Sequence, residues 1–277
     1  MYHSIFRPDL FAGKTYIITG GGTGIGRAIA HELASLGAHV ALAARRADPL
    51  AHTRDEIIAA GGSASSYLCN IRDESSVMAF FDAFAADHEA LDGLVNNAGG
   101  QFMSPAAAIS NKGWHAVIET NLTGTFTVSR EAFRRHFQAR GGAIVNIVAE
   151  MWRGFPGMAH TGAARAGVVN LTRTLAVEWA PFGVRVNAVA PGLIAGNGLR
   201  QYGEEVQAFI AGITHDLPAK RMGTESEVAA AVTFLLSPAA AYISGDALRV
   251  DGGSSLWRKT WDIPDHDNAP PPYEGFT

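Results

Sequence analysis

An apolar run, Thr15–Thr19, passes directly into Gly20-Gly21-Gly22-Thr23-Gly24-Ile25-Gly26 and then into a stretch of helical periodicity over 26–36. A strand, a glycine-rich turn and a helix in immediate succession constrain the fold more than any other feature. Glycine permits positive φ and lets a backbone approach a ligand with no Cβ in the way. The helix that follows aims its free N–H groups and positive dipole end at whatever the turn holds. The ligand implied is a pyrophosphate, with Gly20, Thr23, Gly24, Ile25 and Gly26 around it. The spacing is Gly-x-x-x-Gly-x-Gly and no Gly-Lys-Ser/Thr follows, which excludes a P-loop.

Short apolar runs continue to alternate with helix-period stretches as far as residue 250. The strands expected are 15–19, 39–43, 65–69, 91–96, 143–148, 185–189 and 247–250. They lack period-two alternation, as strands buried on both faces should. Helices are expected between them, for example over 26–36, 74–87, 114–139, 165–180 and 225–236. Such alternation implies right-handed crossovers and an α/β fold. The architecture expected is a single doubly wound, Rossmann-type parallel sheet of about seven strands with helices on both faces. Residues 1–257 read as one domain. The long excursion over 192–222 has the length of a substrate lid, and the proline- and acid-rich tail 258–277 is expected to pack on the body or on a neighbouring subunit.

Composition narrows the class. The 277 residues are 47% hydrophobic and 17% charged, with a net charge of -4, which excludes a disordered chain. With no long basic run, neither nucleic acid nor an anionic membrane is an expected partner. A lone Cys69 forbids an intrachain disulfide and suits a reducing compartment. No apolar run approaches a membrane span, there is no signal-peptide pattern, and no metal-ligand cluster is evident. A cytoplasmic location is expected.

The remaining cleft residues follow from strand ends, where such sheets bind ligands. Strand two ends in Arg45-Arg46, where NAD sites place a carboxylate for the ribose 2′-hydroxyl. Two arginines and no acid point to a 2′-phosphate, hence NADP. A hydrogen bond to a charged group contributes about 1.5–3 kcal/mol, a preference of roughly 10- to 150-fold for each such bond. Asn70 and Ile71 should meet the adenine. Asn97, Ala98 and Gly99, with Val148, Pro191, Gly192 and Ile194, should line the rest of the cofactor cleft.

Taken together, TGGGTGIG, NNAG, Asn121 within ETNLTGTF, and VNAVAPG resemble the short-chain dehydrogenase/reductase superfamily over residues 10–256. GGQFMSPAAAISNKGWHAVIETNLTGTF, HTGAARAGVVNLT, LPAKRMGT and IPDHDN resemble peroxisomal trans-2-enoyl-CoA reductases and their bacterial relatives. AVEWAPFGVRVNAVAPG is similar to the corresponding block of 2,4-dienoyl-CoA reductases. Some bacterial relatives belong to acyclic-terpenoid catabolism. The resemblance implies a homotetramer built on the helices around 113–138 and 161–180.

The catalytic centre departs from that family. Its usual Ser, Tyr-x-x-x-Lys and Asn become no hydroxyl at Val148 or Ala149, then Thr161 and Arg165, and a retained Asn121. A carbonyl reductase needs an acid to protonate the developing alkoxide. Thr161 has no acidic proton near neutral pH, and an arginine cannot act as one. An α,β-unsaturated thioester instead develops enolate charge, which fixed hydrogen-bond donors can stabilise. The expected function is therefore NADPH-dependent reduction of an enoyl thioester. Arg165 would hold the nicotinamide ribose and keep the site positive, and Asn121 would bind backbone or water. Thr161 is a candidate donor to the thioester oxygen, and His160 a candidate proton relay. Gln101, Trp152, Phe155, Met158 and Tyr202 are the substrate-side candidates, with Arg153 and Arg200 at the rim for a coenzyme A tail. Two alternatives stay open: a carbonyl or alcohol oxidoreductase using His160 or Tyr202 as acid, and an NADP-binding protein without chemistry.

Overall fold

The computed structural model describes residues 2–196, 203, 212–257, 262–266 and 268–276. Seven parallel strands form one sheet: β1 (Thr15–Thr19), β2 (His39–Ala44), β3 (Ser63–Leu68), β4 (Gly93–Asn96), β5 (Gly142–Ile147), β6 (Val184–Pro191) and β9 (Ala247–Val250). Their order across the sheet is β3-β2-β1-β4-β5-β6-β9. A two-residue pair, β7 (Ile194–Ala195) and β8 (Gly223–Thr224), stands apart. The strand order reverses between β1 and β4, so the crevice at their carboxyl ends is the ligand position of a doubly wound sheet. Among the described residues no helix is long and apolar enough to cross a membrane.

The helices are α1 (Gly24–Ser35), α2 (Ala47–Ala59), α3 (Glu74–Asp87), α4 (111–140), α5 (Ala159–Glu178) and α6 (Glu225–Leu236). Burial follows topology. β1, β2, β4 and β6 are almost wholly buried, whereas the outer strands β3 and β9 are only partly so. The expectation of strands buried on both faces thus holds for the centre of the sheet and is corrected at its edges.

Three local differences from the sequence reading bear on function. α2 is a helix the sequence reading did not place, because Ala47–Ala59 buries only Leu50, Thr53 and Ile57 and so has a weak apolar periodicity. α4 is not a uniform helix: π-turns at Glu119–Thr123 and Phe133–Phe137 interrupt it. At the first, Asn121 donates its side-chain amide to Val117 O (2.8 Å), the carbonyl four residues back, and such π-turns collect at functional sites. α5 begins at Ala159, six residues before the expected start, which puts His160 and Thr161 in its first turn.

The tail is anchored at its end. The His3 N–H donates to Gly275 O (2.8 Å), and Thr224 Oγ1 donates to Tyr273 O (2.6 Å). The Phe276 ring packs on Tyr2 and His31 beneath the Arg27 guanidinium, 4.4 Å from its centroid.

At the opposite end of the sheet from the crevice, the His39 and His88 rings lie 4.4 Å apart. Burial, then the His88 charge, lowers the His39 pKa to about 4, and burial lowers that of His88. Both groups bind protons less readily folded than unfolded. Their stabilising contribution is therefore complete above the unfolded value of about 6.5 and is lost as pH falls toward 4. His39→Gln should flatten the fall of melting temperature between pH 6.5 and 4, which thermal denaturation across that range would read.

Candidate functional site

The glycine turn is fixed from below by the turn after β4. Thr19 Oγ1 donates to Val95 O and accepts the N–H groups of Asn97 and Ala98, each at 3.0 Å. The Asn97 amide donates to Thr19 O (3.0 Å) and Gly20 O (3.2 Å). These bonds leave no room for side chains. A Cβ on Gly20, whose φ is +68°, would lie 2.8 Å from Asn97 Nδ2, and one on Gly26 would overlap Gly20 O. Thr23 is the N-cap of α1, yet its side chain caps nothing and the first turn carries no acid. The orphan N–H groups there are left to a ligand. α6, by contrast, closes its N-terminus with the Thr224–Glu227 capping box. A cradle cleared of side chains, at a helix start cleared of caps and acids, fits a dinucleotide pyrophosphate.

Beyond it runs a cleft of about 220 Å³, whose walls include Arg45, Arg46, Asn70, Ile71, Asn97, Ala98 and Gly99. Arg45 and Arg46 are exposed, and neither forms an ion pair among the described residues. The sequence reading did not assign six of the wall residues, Gly22, Ala44, Pro49, Cys69, Arg72 and Thr120. Arg72, which pairs with Glu119 at 2.6 Å, carries no signal in a lone surface arginine. Cys69 is buried and its thiol is pushed up to about 11 by burial, so it is an inert wall.

At the other end of the crevice, Asn121 is fully buried. Its amide donates to Gly100 O (2.7 Å) as well as Val117 O, and its Oδ1 accepts the Gly100 N–H (3.2 Å). The Arg165 guanidinium donates to Ile147 O (2.6 Å), leaves its Nε–H without a partner, and closes on Gly99, where an added Cβ would meet it at 2.6 Å. Burial lowers its pKa to about 10, so it remains a cation at neutral pH. Among the described residues no carboxylate pairs with it. Val148 is buried, with its N–H on Val189 O (2.8 Å). Thr161 and His160 are fully buried, and the Thr161 N–H donates to His160 Nδ1 at 2.8 Å. A buried polar ladder missed from sequence, Asn96–Asn146–Thr172, supports this floor at 2.8 and 2.9 Å.

Pro191 ends β6, and Gly192 lies against Asp251, which would meet a Cβ at 2.8 Å; Ile194 opens β7. On the substrate side, Gln101 is exposed, while Phe155 and Met158 are half-buried in the segment leading to α5. Trp152 stacks under Arg249, 4.4 Å from its ring centroid. Arg153 donates to Trp257 O, so its guanidinium is engaged by the chain itself. Tyr202 and Arg200 lie outside the described residues.

Comparison with known proteins places this architecture. The family model described as enoyl-(acyl carrier protein) reductase matches residues 20–255. The chain is 40% identical to the peroxisomal 2,4-dienoyl-CoA reductase ((3E)-enoyl-CoA-producing) of Rattus norvegicus over 257 residues, 91% of this chain and 87% of that one. It is 36% identical to the 3-oxoacyl-(acyl-carrier-protein) reductase of Escherichia coli K12 over 246 residues, 88% and 98% of the two chains. Among solved structures, the citronellol catabolism dehydrogenase of Pseudomonas aeruginosa PAO1 superposes with a TM-score of 0.84 at 52% identity, covering 92% of this chain and all of that one. With the parallel sheet, the glycine cradle and these matches in hand, the chain belongs to the short-chain dehydrogenase/reductase superfamily, a family of nicotinamide-dependent oxidoreductases.

Proposed function

We propose that the protein uses NADPH to reduce a conjugated enoyl thioester, either the α,β double bond of a trans-2-enoyl-CoA or the conjugated diene of a 2,4-dienoyl-CoA. The observation that carries this reading is Arg165: a buried cation without a counter-ion among the described residues, in a centre with Thr161 in place of tyrosine and no hydroxyl at Val148 or Ala149. Such a centre has no acid for an alkoxide, but it holds a fixed positive charge for an anion that forms on the substrate. The 2,4-dienoyl-CoA reductase relatives support the same substrate class.

The cradle around Gly20–Gly26 would hold the pyrophosphate, Asn70 and Ile71 would flank the adenine, and Gly99, Arg165 and Gly192 would surround the nicotinamide ribose. When bound, NADPH would supply the hydride, to the β-carbon of a 2-enoyl thioester or to the δ-carbon of a 2,4-dienoyl one. Arg165 stabilises the charge that then collects on the thioester oxygen. Asn121 keeps the Gly100 backbone in place beside it. The α-carbon takes its proton from water, so no tyrosine is required. The exposed apolar residues Trp114, Phe126 and Val177 on α4 and α5 support subunit contacts there, on the helices that the family resemblance assigns to a homotetramer.

NADP over NAD rests on Arg45 and Arg46. Arg45→Ala with Arg46→Ala should reduce the NADPH/NADH preference in kcat/KM by at least tenfold, up to roughly 150-fold for each hydrogen bond to the phosphate that the substitutions remove. An unchanged ratio would remove the 2′-phosphate argument. The substrate class is tested by NADPH consumption across a trans-2-enoyl-CoA chain-length series; absence of turnover at every length would overturn it. A second reading, oxidation or reduction at an alcohol or carbonyl of a terpenoid-like substrate, is favoured by the likeness to the citronellol catabolism dehydrogenase. Turnover of such alcohols or ketones in the same assay, with none of the enoyl thioesters, would establish it instead.

A further inference from the structure

His160 is 0% exposed at the start of α5. Its Nδ1 accepts the backbone N–H of Thr161 at 2.8 Å, one of the donors that the first turn of a helix leaves without a partner. A ring nitrogen that accepts carries no proton, so the neutral imidazole bears its hydrogen on Nε2. That Nε2 is buried and has no partner. Buried donors are rarely left unpaired in a folded protein, and one kept beside a reaction centre is a donor awaiting a ligand.

The surroundings agree. The Phe102 ring stands edge-on to the imidazole, 4.4 Å between centroids, and is itself partly exposed, as a residue on the substrate side should be. The same loop is tied to the segment before α5 by the Ser104 N–H on Gly157 O (2.7 Å). Two residues before Phe102 in that loop, Asn121 holds Gly100 by both its N–H and its carbonyl. The imidazole thus lies against a loop tied at Gly100 and at Ser104, its tautomer set by Thr161, five residues before Arg165.

We infer that His160 is a catalytic hydrogen-bond donor: its Nε2–H bonds the thioester oxygen of the substrate and strengthens as enolate charge forms there. The inference rests on the enoyl-thioester reading. It assigns His160 a fixed, neutral role, as an imidazole polarising a carbonyl, in place of the proton relay that its residue type suggests. No proton leaves the ring, and the α-carbon is protonated from solvent.

The test compares His160→Asn with His160→Gln. Asparagine can still accept the Thr161 N–H from near the Nδ1 position but has no donor at the reach of Nε2; glutamine restores an amide N–H there. Wild-type turnover of trans-2-enoyl-CoA tests the underlying reading separately. Given that turnover, His160→Asn should lower kcat about 100- to 1000-fold, as loss of one oxyanion donor does, with KM for NADPH unchanged. His160→Gln should recover at least tenfold of that loss, and the kcat pH profile should keep its wild-type shape. A second readout does not depend on turnover or on the variants' activity. The carbonyl stretch of a 13C-labelled saturated acyl-CoA, bound with NADP to the wild-type enzyme, should lie lower in frequency than when it is bound to His160→Asn. A kcat for His160→Asn within twofold of wild type, or a carbonyl frequency unchanged between the two proteins, overturns the inference. A titrating step that disappears from the pH profile of His160→Asn overturns it in favour of a proton relay.

Discussion

Arg165→Met is expected to lower kcat for enoyl-thioester reduction by about 10²–10³, some 2.7–4 kcal/mol of transition-state stabilisation, while the protein stays folded. The two halves of that expectation have different causes. The guanidinium is buried with no carboxylate to pair with among the described residues, and burial already opposes its charged form. Removing an unpaired buried cation relieves a penalty. Against this, Ile147 O loses the donor that Arg165 supplies at 2.6 Å, which costs about 1–3 kcal/mol. The opposing terms are of similar size, so the melting temperature should move by only a few degrees while activity collapses. Arg165→Lys keeps the cation and should retain activity within about tenfold of wild type. A residue that served only the fold would show the reverse order, with stability lost in proportion to activity. Steady-state kinetics alongside thermal unfolding of the two variants reads both quantities.

Gly26→Ala is the substitution expected to act most strongly at the cofactor end. The methyl group would overlap Gly20 O and Asn97 Nδ2, and neither can withdraw freely. Gly20 is held at positive φ, and Asn97 is tied to Thr19 O and Gly20 O. Overpacking of this kind destabilises by about 1–3 kcal/mol. The larger consequence is functional, because any relief moves the turn into the space a pyrophosphate would fill. NADPH affinity should fall by at least 100-fold, read by fluorescence titration at a temperature where circular dichroism shows the variant folded. Arg45 and Arg46 lie apart from this turn, so their substitution should alter NADPH against NADH without abolishing either, a pattern that separates the two parts of the cleft.

The framework of the sheet is legible in the residues because its signals are local. Strands such as Thr15–Thr19 read as apolar runs, and the glycine turn reads as a strand feeding a helix with nothing between. Arg165 stands out because a lysine would be expected there, and its chemistry follows from residue type alone. What could not be read depends on contacts distant in sequence. The π-turn at Asn121 arises from a side-chain amide competing for Val117 O and clasping Gly100, two bonds that no periodicity encodes. α2 buries only Leu50, Thr53 and Ile57, too few to give a clear apolar periodicity. The Trp152–Arg249 stack joins positions nearly a hundred residues apart. His160 is the most instructive case. Its residue type suggests proton transfer, and only the Thr161 N–H on Nδ1 reveals which ring nitrogen carries the hydrogen.

The central claim, that this centre reduces a carbon–carbon double bond because it lacks the acid a carbonyl requires, is tested most directly by following the transferred hydride. With NADPH deuterated at C4 and a trans-2-enoyl-CoA in ordinary water, the product should be the saturated acyl-CoA carrying one deuterium at the β-carbon and none at the α-carbon. Recovery of the deuterium on the carbinol carbon of an alcohol, with the double bond intact, would contradict the account.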